Sequence, residues 1–361
     1  MNTEVVVIGA GLMGRLLALS LARQGARVQL HDAHGPEATH AAARAAAAML
    51  APLAESAITE LPVVRMGMHG LVRWPKLLAT LPAPVYFQQA GTLILWHRQD
   101  QAEARRFEGL IRRTHAQLPE LPAPQALDAA RLAEAEPAMA GRFAQGLYLP
   151  GEGQLDNRQL LDALHLALQD AGVALHWHSR IDGHDAASLR AAFPAAGQIV
   201  DCRGLGARVA WRELRGVRGE VVRVHAPEVR LQRPTRLIHP RYPIYIAPKE
   251  NGLFVIGATE IESEDLSPAS VRSTLELLSA AYTVDSGFAE GRILEIATQA
   301  RPTLPDNLPA LRPLGNGVLQ INGLYRHGFM ISPALLDAAL QWLATGDSPL
   351  ARQWQLIPQP Q

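Results

Sequence analysis

The sequence predicts an α/β protein, α+β overall, in which a parallel-sheet domain is interleaved with a smaller antiparallel-sheet domain. Three observations predict it. A β-branched run, Glu4-Val5-Val6-Val7-Ile8, ends in a glycine turn and is followed by apolar residues at helical spacing, Leu16, Leu17, Leu19 and Leu21. Between Val217 and Gly257 the pattern changes to short strands at 220–224, 245–247 and 253–256, the signature of an antiparallel sheet. The 361 residues also exceed what one hydrophobic core usually serves, yet fall short of three domains.

Taken in order, the first helix closes at Gly25, residues 27–30 form a second strand, and Asp32 stands just past its end. A complete βαβ unit thus fits in the first 33 residues. Residues 38–50 are nearly all alanine, interrupted by Thr39, His40 and Arg44. Alanine is the best helix former, so composition predicts a closely packed helix there. Residues 101–141 carry mixed charge with prolines between segments and read as short exposed helices of a satellite region, without chemistry. Gln154-Leu155-Asp156-Asn157 leads into a helix carrying Leu160, Leu161, Leu164 and Leu168, closed by Gly172 and followed by a strand at 173–177. That strand and another at 198–201 are expected to rejoin the first sheet. Residues 318–323 read as a strand and 333–343 as a helix, with Gly346 beyond its end. The expected partition is 1–84, 145–214 and 301–361 for one domain, and 85–144 and 215–300 for the other.

Composition narrows the function. Apolar residues make up 48% of the chain and aromatics only 5%, so Ala, Leu, Val and Ile must build the core. Lys plus Arg (34) balances Asp plus Glu (34), leaving no net field to gather nucleic acid or an anionic membrane, so a small-molecule partner is expected. The single cysteine, Cys202, rules out an internal disulfide and a cysteine zinc cluster and fits a cytoplasmic location. The N-terminus lacks a basic n-region, and the longest apolar stretch, 45–54, contains Pro52 and falls short of the roughly 20 residues a bilayer span needs. A soluble protein without membrane insertion is expected. His165, His176 and His178 follow no metal-ligand spacing, so no metal is expected. The oligomeric state stays open, a homo-oligomer included.

Gly9-Ala10-Gly11-Leu12-Met13-Gly14 joins the first strand to the first helix. In a Rossmann-type unit this turn aims backbone N–H groups and a helix N-terminus at a pyrophosphate, and larger side chains would block the approach. Asp32, 18 residues after Gly14, is placed to accept from ribose hydroxyls. NAD and FAD share the adenosine diphosphate half, so this unit does not choose between them.

Further segments resemble the D-amino-acid-oxidase superfamily of FAD enzymes, most closely its glycine oxidases. Ala45-Ala46-Ala47-Ala48-Met49-Leu50-Ala51-Pro52 resembles the family's Ala-Ala-Gly-Met-Leu stretch, which implies that Ala47, Ala48, Met49 and Leu50 lie against the flavin. Ala48 replaces the family glycine, so a positive φ there would demand a different local geometry. Gly151-Glu152-Gly153-Gln154-Leu155-Asp156 is similar to the lead into the second half of the FAD domain. Ile199-Val200-Asp201-Cys202-Arg203-Gly204 resembles the strand that places Gly204 near the adenosine, with Arg203 an unusual occupant. Gly216-Val217-Arg218-Gly219-Glu220 resembles the entry to the substrate domain. Arg301-Pro302-Thr303-Leu304-Pro305-Asp306-Asn307-Leu308-Pro309 looks like the glycine-oxidase stretch whose arginine binds the substrate carboxylate. Residues 323–333 resemble the segment that wraps the isoalloxazine ring, implying cofactor contacts from Arg326, His327, Gly328, Phe329 and Met330. Leu324, His327 and Arg312 depart from the family pattern.

The resemblance implies noncovalent FAD and oxidation of glycine or a small amine or amino acid. Hydride passes from the α-carbon to flavin N5, O2 is reduced to H2O2, and the iminoglycine formed serves thiamine thiazole synthesis. A dehydrogenase using a quinone or carrier, and a catalytically silent dinucleotide-binding module, are the alternatives. Arg301 is the first choice of carboxylate anchor, since a planar guanidinium fixes both position and rotation of a carboxylate; a surface ion pair with Asp306 is the competing reading. Tyr245, in Tyr245-Ile246-Ala247-Pro248, is similar to the tyrosine that donates to the same carboxylate, against a plain core role. Arg326 adds positive potential or steadies the loop over the ring, unless it is a surface residue. Glu260 and Glu262 would favour a cationic amine if they stand at the pocket mouth; otherwise they are solvated.

Overall fold

The computed structural model describes residues 4–239 and 243–358, so the outer ends of the expected first domain, 1–3 and 359–361, lie outside it. The first sheet runs Ala310–Gly315, Val318–Asn322, Gln198–Asp201, Glu4–Ile8, Arg27–His31, Ala174–His176. All neighbours are parallel except the edge pair formed by the first two. Val5, Val6 and Val7 are buried on both faces, as a helix-covered parallel sheet requires. From Glu4–Ile8 the chain builds outward on one side and later returns on the other at Gln198–Asp201. The strand order therefore reverses at Glu4–Ile8, and a crevice opens past its carboxyl end.

The second sheet has eight strands in the order Arg292–Thr303, Arg215–His225, Leu253–Gly257, Ile244–Pro248, Thr235–Ile238, Thr92–Trp96, Gln145–Leu149, Gln125–Asp128. It is antiparallel apart from Thr235–Ile238 beside Thr92–Trp96. Of its strands, Arg292–Thr303 runs across the expected boundary at 301, and Gln145–Leu149 lies within the stretch 145–214 expected for the other domain. The helix Val271–Val284 packs on this sheet, burying Leu277, Ala281 and Val284 against Val222, Ile246 and Ile256 in a core separate from that of the first sheet.

Four expectations need correction. The alanine-rich segment is helical only over Ala42–Ala45 and ends as the short strand Met49–Leu50, paired with Gly153–Leu155. Tertiary donors hold the carbonyls that a longer helix would use. Asn157 Nδ2 donates to the carbonyls of Ala43 (2.9 Å) and Arg44 (2.7 Å), and Lys249 Nζ donates to that of Ala47 (2.9 Å). Ala48 adopts φ +54°, so the alanine keeps the left-handed geometry its position demands rather than altering it. Residues 101–141 hold one long helix, Gln101–Gln117, which buries Ala104 and Ile111, together with the strand Gln125–Asp128 and the helix Ala129–Ala135.

The last large helix begins at Gly328 rather than near 333 and runs to Thr345, with Gly346 left-handed at its end. Pro333 lacks the N–H that would bond the Phe329 carbonyl one turn back. Trp74, on the helix Leu61–Leu78, fills that role: its indole Nε1 donates to the Phe329 carbonyl at 2.7 Å. The two helices meet closely, since a Cβ on Gly70 would lie 2.1 Å from the Met330 carbonyl oxygen. Trp74→Phe keeps most of the packing and orphans that carbonyl. Its denaturation midpoint should fall by an amount equivalent to about 1–3 kcal/mol at unchanged m-value.

Candidate active site

At the end of Glu4–Ile8, two glycines are imposed by the protein's own backbone. Gly9 has φ +98°, and a Cβ there would lie 2.6 Å from the Cys202 carbonyl oxygen; a Cβ on Gly14 would lie 1.8 Å from the Gly9 carbonyl oxygen. Gly11 differs, because the nearest atom to its Cβ position is 3.9 Å away. Its face is free for a ligand. Arg15, fully buried, donates from Nε to the Ala10 carbonyl (2.8 Å), and Asp32 accepts from the Ala10 N–H (2.6 Å) and the His34 N–H (2.8 Å). The turn is thereby clamped from both sides.

A cavity of ≈ 1120 Å³ leads away from this turn. Its walls include Gly9, Gly11, Leu12, Met13, Asp32, Ala47, Ala48, Met49 and Gly204, then Arg326, His327, Gly328, Phe329 and Met330, and finally Tyr245 and Arg301. Of the residues singled out in the sequence, Gly14 and Leu50 stand behind the wall rather than on it. Arg203 binds both oxygens of Asp201 (2.9 and 2.8 Å) and the carbonyls of Ile181 and Gly183 (2.7 and 2.8 Å), so its charge is compensated. Arg312 lies off the cavity, stacked over Trp211 with its Cζ 5.1 Å from the ring centre, and obstructs nothing.

Arg301 and Tyr245 reach the far end across two glycines of neighbouring strands. A Cβ on Gly219 would lie 2.4 Å from Cζ of Arg301, and one on Gly257 would lie 2.7 Å from Oη of Tyr245. Arg301 donates to the Thr259 carbonyl at 3.1 Å and has no carboxylate partner among the described residues. Asp306 instead accepts from the Leu308 N–H at 3.0 Å, so the surface ion pair is not formed. Burial pulls the Arg301 pKa down and pushes the Tyr245 phenol up.

Arg326 is paired. Its Nε lies 3.2 Å from Glu55 Oε2 and its Nη1 2.8 Å from Glu260 Oε2. Burial lowers its pKa, but the two carboxylates more than offset that and hold it above the ordinary value. Glu55 also takes Arg236 on Oε1. Burial would raise the Glu55 carboxyl, yet Arg326 and Arg236 hold it well below the usual carboxylate range. Burial pulls His327 down to about 4, so its imidazole is neutral. Tyr325 donates its hydroxyl to Glu260. Glu262, by contrast, faces away and pairs with Arg215 at 2.6 Å. Sequence reading missed Glu55 and Arg236; the one available signal was a lone acid closing the apolar run 45–54. Among the described residues no cluster of His, Cys, Asp or Glu could hold a metal.

Glu152 holds the backbone beside Glu55, its Oε1 accepting from the Ala54 N–H at 2.7 Å. Burial pushes its carboxyl from the ordinary 4.5 up to about 7. The folded state then binds this proton more tightly than the unfolded chain, so the group's contribution is full below 4.5 and is lost as pH rises towards 7. Glu152→Gln keeps the acceptor without the proton. A chemical-denaturation series across that window should show a flatter fall in stability for the variant.

The cavity is larger than a typical small-molecule pocket of roughly 300–1,000 Å³. With a glycine face and helix N-terminus at one end and an unpaired guanidinium at the other, it fits FAD with room for a small substrate. The sequence matches the DAO profile, FAD dependent oxidoreductase, over residues 4–338. A Rhizobium etli protein named for thiamine biosynthesis, the oxidoreductase ThiO, is 39% identical over 95% of this chain and 97% of its own length. Glycine oxidase of Geobacillus kaustophilus is 25% identical over 91% of this chain and 90% of its own. The crystal structure of glycine oxidase from that organism shares the fold, with a TM-score of 0.81 at 23% identity across 100% of both chains. The glycine turn, the cavity and these matches agree: the chain belongs to the DAO family of FAD-dependent oxidoreductases.

Proposed function

We propose that this enzyme oxidises glycine or another small amine or amino acid to its imine, with O2 as the final electron acceptor. The observation that carries this reading is the pairing of Arg301, which lacks a carboxylate partner, with the Tyr245 hydroxyl on the wall of the cavity that starts at the glycine turn. Bound FAD supplies, at N5, the acceptor for the hydride of the substrate α-carbon. Arg301 takes the substrate carboxylate through parallel N–H donors and Tyr245 adds a hydroxyl donor, which together fix the α-carbon without acid–base machinery. Gly9, Gly11 and Asp32 hold the adenosine diphosphate half, while Ala47–Met49 and Arg326–Met330 border the ring. In this arrangement the first sheet carries the noncovalent cofactor and the second the substrate. Likeness to a protein named for thiamine biosynthesis supports iminoglycine as the product handed to thiazole synthesis, in the cytoplasm.

Anaerobic mixing with a panel of amines tests the reading: flavin bleaching by glycine or a small amine supports it, and no bleaching by any member sinks it. Under air, one H2O2 per imine is expected, whereas imine formed without peroxide would assign another acceptor. Two charge-assisted hydrogen bonds of roughly 1.5–3 kcal/mol each predict that Arg301→Ala lowers kcat/KM by on the order of 100-fold or more with flavin content retained. Gly219→Ala should act in the same direction through KM, because its methyl displaces the guanidinium rather than removing it. Unchanged kinetics in Arg301→Ala would remove that residue from the mechanism.

A further inference from the structure

Resting on the reading of Arg301 as carboxylate anchor, we propose that Glu55 determines the substrate class of this site. It neutralises the guanidinium groups of Arg236 and Arg326, so that the site takes an amine bearing one carboxylate and rejects dicarboxylates.

Arg236, Arg301 and Arg326 all line the cavity, and all three act electrostatically on the Tyr245 hydroxyl. Left unbalanced, three guanidinium groups in one desolvated space would recruit two or more anionic groups. Glu55 prevents this. Its carboxylate, on a residue 7% exposed, meets Arg236 through Oε1 and Arg326 at 3.2 Å through Oε2, and Glu260 takes Arg326 at 2.8 Å. His327, 3.4 Å from Glu55 Oε2, is neutral and adds no charge. Arg272, also on the wall, has a side chain 82% exposed beside Glu276, so water screens it. Two acids therefore balance two guanidinium groups, and Arg301 is left to meet one carboxylate. A second carboxylate would face Glu55 and Glu260 with no guanidinium free to take it. The backbone that carries Glu55 is held in place, since Glu55 closes the short helix Pro52–Glu55 and the preceding Ala54 N–H is fixed on Glu152.

The test is equilibrium binding to the FAD-loaded protein of two carboxylates that cannot be oxidised, acetate and malonate, read from the shift in flavin absorbance. The wild type should bind acetate more tightly than malonate. In Glu55→Gln, malonate affinity relative to acetate should rise about tenfold or more, the equivalent of one charge-assisted hydrogen bond. Glu55→Asp keeps the charge and should keep the preference. An unchanged ratio in Glu55→Gln overturns the proposal, and so does a wild type that prefers malonate, which decides the matter even if the variant fails to fold. Acetate binding that survives Arg301→Ala overturns the anchor instead, and the malonate-to-acetate ratio still judges Glu55.

Discussion

Lys249 and Asn157 impose the constraint on which the remainder of the molecule depends, because they hold the backbone where the two sheets meet. Lys249 follows the strand Ile244–Pro248 of the second sheet, yet its buried side chain donates to the carbonyls of Ala47 and Leu155, which flank or belong to the small separate pairing of Met49–Leu50 with Gly153–Leu155. Asn157, at the start of the helix Asn157–Asp170, holds the carbonyls of Ala43 and Arg44. Between them they stretch an alanine-rich segment into one wall of the cavity. Alanine favours a helix, and the course of this segment is set instead by these distant donors.

Charge inside the cavity is distributed by the same logic of fixed partners. A buried cation is costly unless it is paired, and here Arg15 is taken by carbonyls, Arg203 by Asp201, and Arg236 and Arg326 by Glu55 and Glu260. Arg15 and Arg301 both meet only neutral carbonyl oxygens, and of the two only Arg301 stands on the cavity wall. Its companions are compensated by the fold, whereas its own compensation must come from a bound anion. That asymmetry gives the far end of the cavity its chemical direction.

Much of this was legible in the sequence, for reasons that differ between elements. The βαβ unit was legible because strand, glycine turn, helix and acid lie within one short stretch, where local geometry dominates. The cavity residues near 47–49 and 326–330 were legible only through resemblance, since nothing in the residues themselves marks an alanine or a methionine as a wall. The long helix expected over 38–50 failed because Asn157 and Lys249 are distant in sequence and leave no periodic trace. Glu55 escaped for a similar reason: its partner Arg236 lies 181 residues away, and a single acid after an apolar run carries no spacing to read. Arg312, which looked like an intrusion, proved to sit on an aromatic ring at the sheet edge.

The indole of Trp74 bonded to the Phe329 carbonyl joins segments 255 residues apart, and it stands in for a donor that Pro333 cannot supply. The helix that closes the pocket therefore cannot complete its own first turns; it borrows the missing link from a neighbour made much earlier on the ribosome. The wall of the cavity is thus complete only where segments from both ends of the chain stand together.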